Sequence, residues 1–167
     1  MNKHKYNTPQ TNNNSGFTII EVVLVLAIAG LIFLMVFIAL PALQRNQRDT
    51  QRKNNLNLVV DALNRYTANN PGQTLESEGS YITNLIASGY LGRASEFVDP
   101  DGDSYTARIG EFDHELTEQH RKYYGQTAIY KTLRARCDGS DVIPKDGTDS
   151  VALRIVLEGG GVYCVNN

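Results

Sequence analysis

The chain begins polar and then becomes apolar without interruption. Residues 1–16 are mostly polar, and residues 22–43 form a run of 22 residues without a charged side chain. A helix of that length covers roughly 30 Å at about 1.5 Å per residue, which matches the hydrocarbon thickness of a bilayer. The pattern therefore predicts a membrane-spanning helix with one acidic residue, Glu21, directly before the apolar run.

The predicted helix continues beyond the apolar run. Residues 44–69 contain neither proline nor glycine, and apolar side chains recur there at steps of three and four residues. These side chains share one helix face: Leu56, Val59, Val60, Leu63 and Tyr66. The sequence Asn-Asn-Pro-Gly at residues 69–72 is a stop signal. One helix is therefore predicted from about Thr18 to Asn69, apolar all round in its first half and amphipathic in its second.

The remaining chain predicts a small domain of short elements. Residues 81–91 have the spacing of a short helix closed by Gly89. Three strands are predicted, at residues 127–134, 150–157 and 162–165. A glycine-rich turn joins the last two into a hairpin. The fold class is therefore α+β, with the long N-terminal helix packed on a small C-terminal antiparallel β-sheet domain.

The carboxylate of Glu21 needs a cationic partner. An acidic group costs on the order of 2 to 3 kcal/mol at the centre of a membrane helix, so it persists where a partner compensates it. The apolar run contains no cation, and Lys3 and Lys5 lie far up the chain. A cut between Gly16 and Phe17 would create a new amino group near Glu21 and would leave the apolar segment on the mature protein, unlike cleavage of a secretory signal.

These residues resemble a known motif. The sequence GFTIIEV at residues 16–22 is similar to the cleavage motif of type IV prepilins, with a small residue at the cut, an aromatic first residue, and a carboxylate at the fifth mature position. The resemblance implies that a prepilin peptidase cuts after Gly16 and methylates the new amine of Phe17. It also implies that Glu21 meets the Phe17 amine of a neighbouring subunit and sets the register of a filament.

The resemblance further implies how the chain is divided and where it resides. The divisions are a cleaved leader, a membrane and filament-core helix, an amphipathic continuation of that helix, and a globular head: residues 1–16, 17–43, 44–70 and 71–167. The subunit would sit in the cytoplasmic membrane with its C-terminal domain outside, and then in an extracellular filament. The implied partners are other copies of the chain, the peptidase, the inner-membrane pilus assembly machinery and the membrane.

Other functions stay open at this point. A pseudopilin of a type II secretion or competence system would share the leader and the helix. A monomeric membrane-anchored binding protein would keep its leader and would not depend on Glu21. An ordinary single-pass anchor, with Glu21 at the interface, has no use for a buried acid and is disfavoured for that reason.

The charge balance argues against a general nucleic-acid binder. The chain has 16 basic and 18 acidic residues, and removal of Lys3 and Lys5 with the leader leaves 14 against 18, a net charge of −4. No direct nucleic-acid binding is therefore expected.

A basic cluster follows the apolar run, and we interpret it as a collar at the membrane interface, whose long side chains reach the headgroups, in preference to a DNA-binding role. Its four cations are opposed within the cluster only by Asp49: Arg45, Arg48, Arg52 and Lys53. Pairing with acids on adjacent subunits of a filament is a further alternative. The positive-inside rule alone would place this side in the cytoplasm. The resemblance to prepilins and the two cysteines favour the opposite orientation.

Two residues weaken the long helix. Gly30 lowers helix stability by about 1 kcal/mol relative to alanine, and Pro41 costs roughly 3 kcal/mol in a helix interior. The family resemblance implies a helix that unwinds between such a glycine and proline. We therefore expect residues 30–41 to lose helical hydrogen bonds on assembly.

The chain has two cysteines, Cys137 and Cys164. In an exported domain they are expected to form one disulfide, which would add roughly 3 to 4 kcal/mol in the chain-entropy model. The alternative is a pair of free, buried thiols.

The alternating carboxylates of Asp99, Asp101 and Asp103 are a candidate calcium site, because calcium prefers hard oxygen ligands. The EF-hand pattern fails, since Ser104 stands where its glycine belongs and Gly110 where its bidentate glutamate belongs. The alternative is a turn leading into a strand.

Nothing in the sequence argues for catalysis. His114 and His120 lack the one-turn spacing of the His-Glu-x-x-His metal motif, so a polar loop or short helix is predicted there, near Glu115 and Glu118. No glycine-rich phosphate loop and no activated nucleophile is present. The chain is therefore expected to be neither an enzyme nor a cofactor binder, apart from the calcium candidate.

Overall fold

A computed structural model describes residues 16–73, 80–110, 116, 123, 125–147 and 150–167. His114 and His120 lie outside these ranges, so the prediction of a polar loop around them stays a prediction. The chain divides into two compact units, residues 1–41 and 42–167.

The long helix is confirmed: α1 runs from Ile19 to Asn69 over 51 residues. It ends where the sequence predicts. The side-chain amide of Asn70 donates a hydrogen bond of 2.9 Å to the carbonyl of Tyr66, and Gly72 turns the chain away with φ = 82°. The same carbonyl also accepts the backbone amide of Asn70 at 2.9 Å, so it has two hydrogen bonds where the helix ends.

In the first unit the helix presents its apolar side chains outward. An 18-residue stretch has a mean hydropathy of 3.2 and none of it is buried in the structure, so α1 is long and apolar enough to cross a membrane by length and composition. Such side chains are stable in lipid or against other protein surfaces, and not in water.

In the second unit the short helix α2 spans Tyr81–Ala87. Its end confirms the predicted role of Gly89, which takes φ = 74°. The amide of Tyr90 donates to the carbonyl of Leu85, and the amide of Gly89 donates to that of Ile86. These two bonds form a Schellman motif, in which glycine tolerates the left-handed conformation.

Among the residues that the structure describes, six strands complete the second unit, and they form two sheets. Their bounds are β1 Thr106–Ile109, β2 Ala128–Leu133, β3 Ala135–Asp138, β4 Asp141–Pro144, β5 Val151–Val156 and β6 Val162–Asn166. The larger sheet has the order β1-β2-β5-β6, in which β1 is parallel to β2 and the other pairs are antiparallel. The strands β3 and β4 form a separate antiparallel hairpin.

The main core lies between the amphipathic half of α1, α2 and one face of the larger sheet. The helix contributes Leu56, Val59 and Leu63, and the sheet contributes Ile129 and Leu153 among others. The opposite face of β2 and β5 belongs to a second cluster with Tyr130 and Val156. Both central strands are therefore buried on both faces, and the buried positions include the polar side chains of Lys131, Thr132 and Arg154.

The α+β prediction is confirmed, and the structure adds three elements to it. The strands of β2, β5 and β6 lie where the sequence predicts them. The short strands β1, β3 and β4 were not predicted. The predicted strand 127–134 ends one residue early, because Arg134 takes φ = 51° and the chain turns there into β3.

The disulfide is also present. Cys137 of β3 is bonded to Cys164 of β6, with their Cα atoms 5.8 Å apart and no free cysteine in the chain. Beside it, the amide of Cys137 donates a 2.7 Å hydrogen bond to the side chain of Asn166. The disulfide thus ties the β3–β4 hairpin to the edge of the larger sheet.

Candidate functional site

The start of α1 is organised around Glu21, in its first turn. The amide of Thr18 donates to Glu21 Oε2 at 3.1 Å, and the Thr18 hydroxyl donates to the same oxygen at 2.9 Å. In return the amide of Glu21 donates to Thr18 Oγ1 at 3.4 Å. This reciprocal arrangement is a capping box, which satisfies amides that have no partner inside the helix.

The bond predicted to be cut lies just before this box and is open to solvent. A Cβ atom added at Gly16 would meet no atom within 4 Å, and the side chain of Phe17 is 88% exposed. The residues predicted for cleavage and filament register, Gly16, Phe17 and Glu21, therefore lie together at one accessible helix end. Their roles in cleavage and filament register stay predictions.

Gly30 and Pro41 both lie inside α1. The helix is described without a break at either residue. Pro41 lacks the amide that would bond one turn back, so one helical hydrogen bond is necessarily missing there. Loss of helix between them on assembly stays a prediction.

The second unit contains a site that the sequence interpretation missed. The side chain of Arg52 is fully buried, and its hydrogen bonds reach four carboxylates. Nε and Nη2 bind the two oxygens of Asp99, each at 2.8 Å, and Nη2 also binds Asp101 at 2.8 Å. Nη1 binds Asp49 at 3.2 Å and Glu158 at 3.3 Å.

Neighbouring groups complete this arginine cluster. Arg48 pairs with Glu158 through two hydrogen bonds, of which Nε to Oε2 measures 2.7 Å, and lies 3.7 Å from Asp101. The carboxylate of Asp49 accepts the amide hydrogens of Glu158 and Gly159, each at 2.8 Å. We use the name arginine cluster for Arg48, Asp49, Arg52, Asp99, Asp101 and Glu158.

The cluster changes how two of its groups titrate. Hydrogen bonds from Arg48 hold the pKa of the Glu158 carboxyl at about 2, against 4.5 for the free group, and Arg52 contributes in the same direction. Burial is the largest single effect and works against charge on Arg52, but the hydrogen bonds that Arg52 donates to Asp99, Asp49 and Glu158, with the charge of Asp99, together outweigh it and raise the pKa of the guanidinium. Both groups are therefore charged at neutral pH.

This geometry corrects the collar interpretation of the basic residues. Arg52 is buried and Arg48 is partly buried, each paired with acids of the same domain, so neither reaches toward headgroups. Lys53 lies 5.6 Å from the ring centre of Tyr163. Arg45 is exposed and has no ion pair among the described residues.

The sequence did contain a signal that Arg52 is buried. Arg52 stands four residues before Leu56 and so lies on the apolar stripe of the helix.

The predicted calcium ligands have a different partner in the structure. Asp99 and Asp101 both bind Arg52. Backbone bonds from Asp99 to the Asp103 carbonyl and from Gly102 to the Asp99 carbonyl form the turn that leads to β1, as the alternative interpretation predicted. No group of three ligating side chains suited to a metal is found in the described part of the chain. The calcium site stays a prediction that these contacts disfavour.

The described part of the chain combines a helix long and apolar enough to cross a membrane with a disulfide-closed α+β domain. Residues 11–37 match the family described as the prokaryotic N-terminal methylation motif. That motif is the class III prepilin leader, and it supports a type IV pilin or pseudopilin class for this chain. It implies processing by prepilin peptidase and pilus assembly, and it points to a structural protein. No curated protein and no solved structure matches the chain significantly.

Proposed function

We propose that this chain is a structural subunit of a type IV pilus. Its apolar helix anchors it in the cytoplasmic membrane after synthesis and then lies in the core of an extracellular filament. The observation that carries the proposal is the methylation motif at residues 11–37, placed directly on a membrane-length helix whose apolar surface has no cover in the structure. The filament would serve surface attachment, with twitching motility or DNA uptake as further roles.

Assembly is driven by burial of apolar surface among copies of the helix. Bulky side chains line the whole circumference of the span, so one helix can contact neighbours on every side: Ile19, Val23, Leu26, Phe33, Phe37 and Ile38, for example, are each at least 59% exposed. Apolar contacts of this kind have no fixed register. The charged amine of Phe17, pairing with Glu21 of a neighbour, would supply one, because an unpaired carboxylate in an apolar core is costly.

The first experiment is to measure the mass and N-terminal sequence of the protein in material sheared from the cell surface. The proposal expects a chain that starts at N-methylated Phe17. Recovery of the intact chain from Met1, found only in membranes, would contradict it and would favour a monomeric anchored binding protein.

A pseudopilin of a secretion or competence system is the second candidate, because the methylation motif is common to both classes. A pseudopilin would be processed identically at Gly16 and would form a short assembly below the cell surface. Processed protein that stays with the cells after shearing would favour this candidate, whereas abundant shed filaments would favour the pilus.

A further inference from the structure

The guanidinium of Arg52 is saturated with hydrogen bonds. It has five N–H donors, and the structure gives five hydrogen bonds to carboxylate oxygens, two of them to Asp99. The side chain is 0% exposed, so water does not share in these bonds. The arrangement resembles the coordination of a metal ion more than an ordinary ion pair, because one buried cation gathers four anionic side chains.

The four carboxylates come from three separate segments. Asp49 belongs to α1, Asp99 and Asp101 belong to the loop before β1, and Glu158 belongs to the turn between β5 and β6. Without a cation at their centre, four such groups would repel one another and the segments would separate or take up protons. In loops with alternating carboxylates, a bound divalent metal commonly neutralises this repulsion.

We propose that Arg52 is the built-in cation of this domain. Its guanidinium holds the loop and the β5–β6 turn against α1, as a bound divalent metal does in other carboxylate clusters, and the junction forms without a metal. The fixed fork of arginine suits this task, because it offers donors in three directions within one plane, whereas a lysine offers donors from one atom.

The carboxylate oxygens of the cluster also find donors besides Arg52 inside the domain. Arg48 pairs with Glu158, and amide hydrogens of Glu158 and Gly159 bind the carboxylate of Asp49. The amide of Asp101 also donates to Asp99 at 3.2 Å. The cluster therefore needs no external ion to satisfy its oxygens.

The test compares thermal melting of the full-length protein in detergent micelles in two solutions, one with EDTA and one with excess calcium. Melting is monitored by the near-ultraviolet circular dichroism of the tyrosines. The wild type is expected to melt at the same temperature in both. Arg52→Ala is expected to melt at least about 10 °C lower in EDTA, since it leaves several buried charges uncompensated. It is expected to regain part of that loss in calcium.

Two further variants separate charge, geometry and general damage. Arg52→Lys keeps the charge but not the fork, so it is expected to melt between the wild type and Arg52→Ala and to gain nothing from calcium. Arg45→Ala removes an exposed arginine from the same helix and is the matched control, expected to behave as the wild type in both solutions.

Two results would overturn the proposal. One is a wild type that calcium stabilises, because the loop would then bind a metal in addition to Arg52. The other is an Arg52→Ala protein whose melting does not respond to calcium. If Arg52→Ala does not fold in EDTA, its folding in calcium still supports the proposal. The melting temperatures of the wild type and Arg52→Lys in the two solutions then test the proposal without the Arg52→Ala variant.

Discussion

At Gly159 the backbone of the β5–β6 turn lies very close to the carboxylate of Asp49 in the arginine cluster. The Gly159 amide donates to Asp49, and a Cβ atom at this position would lie 3.0 Å from the same carboxylate. The backbone of the β5–β6 turn can approach α1 this closely because no side chain stands between them.

Gly159→Ala is therefore expected to destabilise the domain by about 1 to 2 kcal/mol, since either Asp49 moves or its hydrogen bonds lengthen. Thermal melting of the full chain in detergent measures the effect. Gly92→Ala is the control, because its new Cβ would meet only Glu96 at an ordinary 3.5 Å. Equal melting of the two variants would show that the close approach at Gly159 is not needed.

Glu158 makes the domain sensitive to acid over a defined range. Its pKa is about 2 in the folded protein and 4.5 in the free group. A carboxyl with a lowered folded pKa stabilises the protein fully above the free value, and this contribution is lost as the pH falls toward the folded value.

The free energy of unfolding is therefore expected to fall between about pH 4.5 and pH 2, with Glu158 contributing on the order of 2 kcal/mol after allowance for its partial exposure. Chemical unfolding at a series of pH values measures this slope. Glu158→Gln is expected to be less stable at neutral pH and to have a shallower slope in that range. An unchanged slope would assign the acid sensitivity to other carboxylates.

At the scale of elements, the β3–β4 hairpin depends on a covalent tie. It shares no ladder of backbone hydrogen bonds with the larger sheet, and the Cys137–Cys164 bond links the two beside the hydrogen bond from the Cys137 amide to the Asn166 side chain. A small apolar cluster with Ala135, Val142 and Ala152 lies beside the bond.

Replacing both cysteines with serine is expected to cost about 3 to 4 kcal/mol, because the disulfide closes a loop of 27 residues in the unfolded chain. Melting with and without a reductant measures it. The wild type should lose stability in reductant, whereas the double variant should not respond. A reductant effect on the variant would point to a cause other than this bond.

The parts of the fold that the sequence predicts are those whose signals are local along the chain, and the parts it misses depend on contacts between distant residues. The helix α1 and the strands β2, β5 and β6 carry long or repeated apolar patterns, which are local signals. The strands β1, β3 and β4 are four residues each and mix apolar with polar side chains, so no period is readable. Apart from the Asp49–Arg52 contact within α1, the arginine cluster joins residues 47 to 110 positions apart, and only the tertiary fold brings them together.

At the scale of the whole molecule, the two functional predictions concern different parts of the chain. The helix start, with Phe17 and Glu21, belongs to the first unit, and the arginine cluster belongs to the second. Changes at the helix start should therefore affect processing and assembly without lowering the melting temperature of the domain. Changes at Arg52 should lower that melting temperature without a direct effect on processing and assembly.

Glu21→Gln tests this separation. The glutamine keeps the size and most hydrogen-bonding capacity of the side chain but removes the charge that would pair with the Phe17 amine. We expect cleavage after Gly16 to continue, domain melting to stay at the wild-type value, and shed filaments to fall at least about tenfold, as loss of one buried ion pair predicts. Immunoblots of sheared and membrane fractions, with the mass of the processed chain, measure all three.

The control for this variant is Glu96→Gln, which removes an exposed carboxylate from the second unit and should leave filament yield unchanged. Normal filaments from Glu21→Gln would mean that apolar burial alone sets the subunit register, and the pairing of Glu21 with a neighbour's amine would have to be abandoned. Loss of cleavage instead would place Glu21 in recognition by the peptidase, upstream of assembly. The two failures differ in the mass of the recovered chain, so one measurement distinguishes a filament contact from a processing signal.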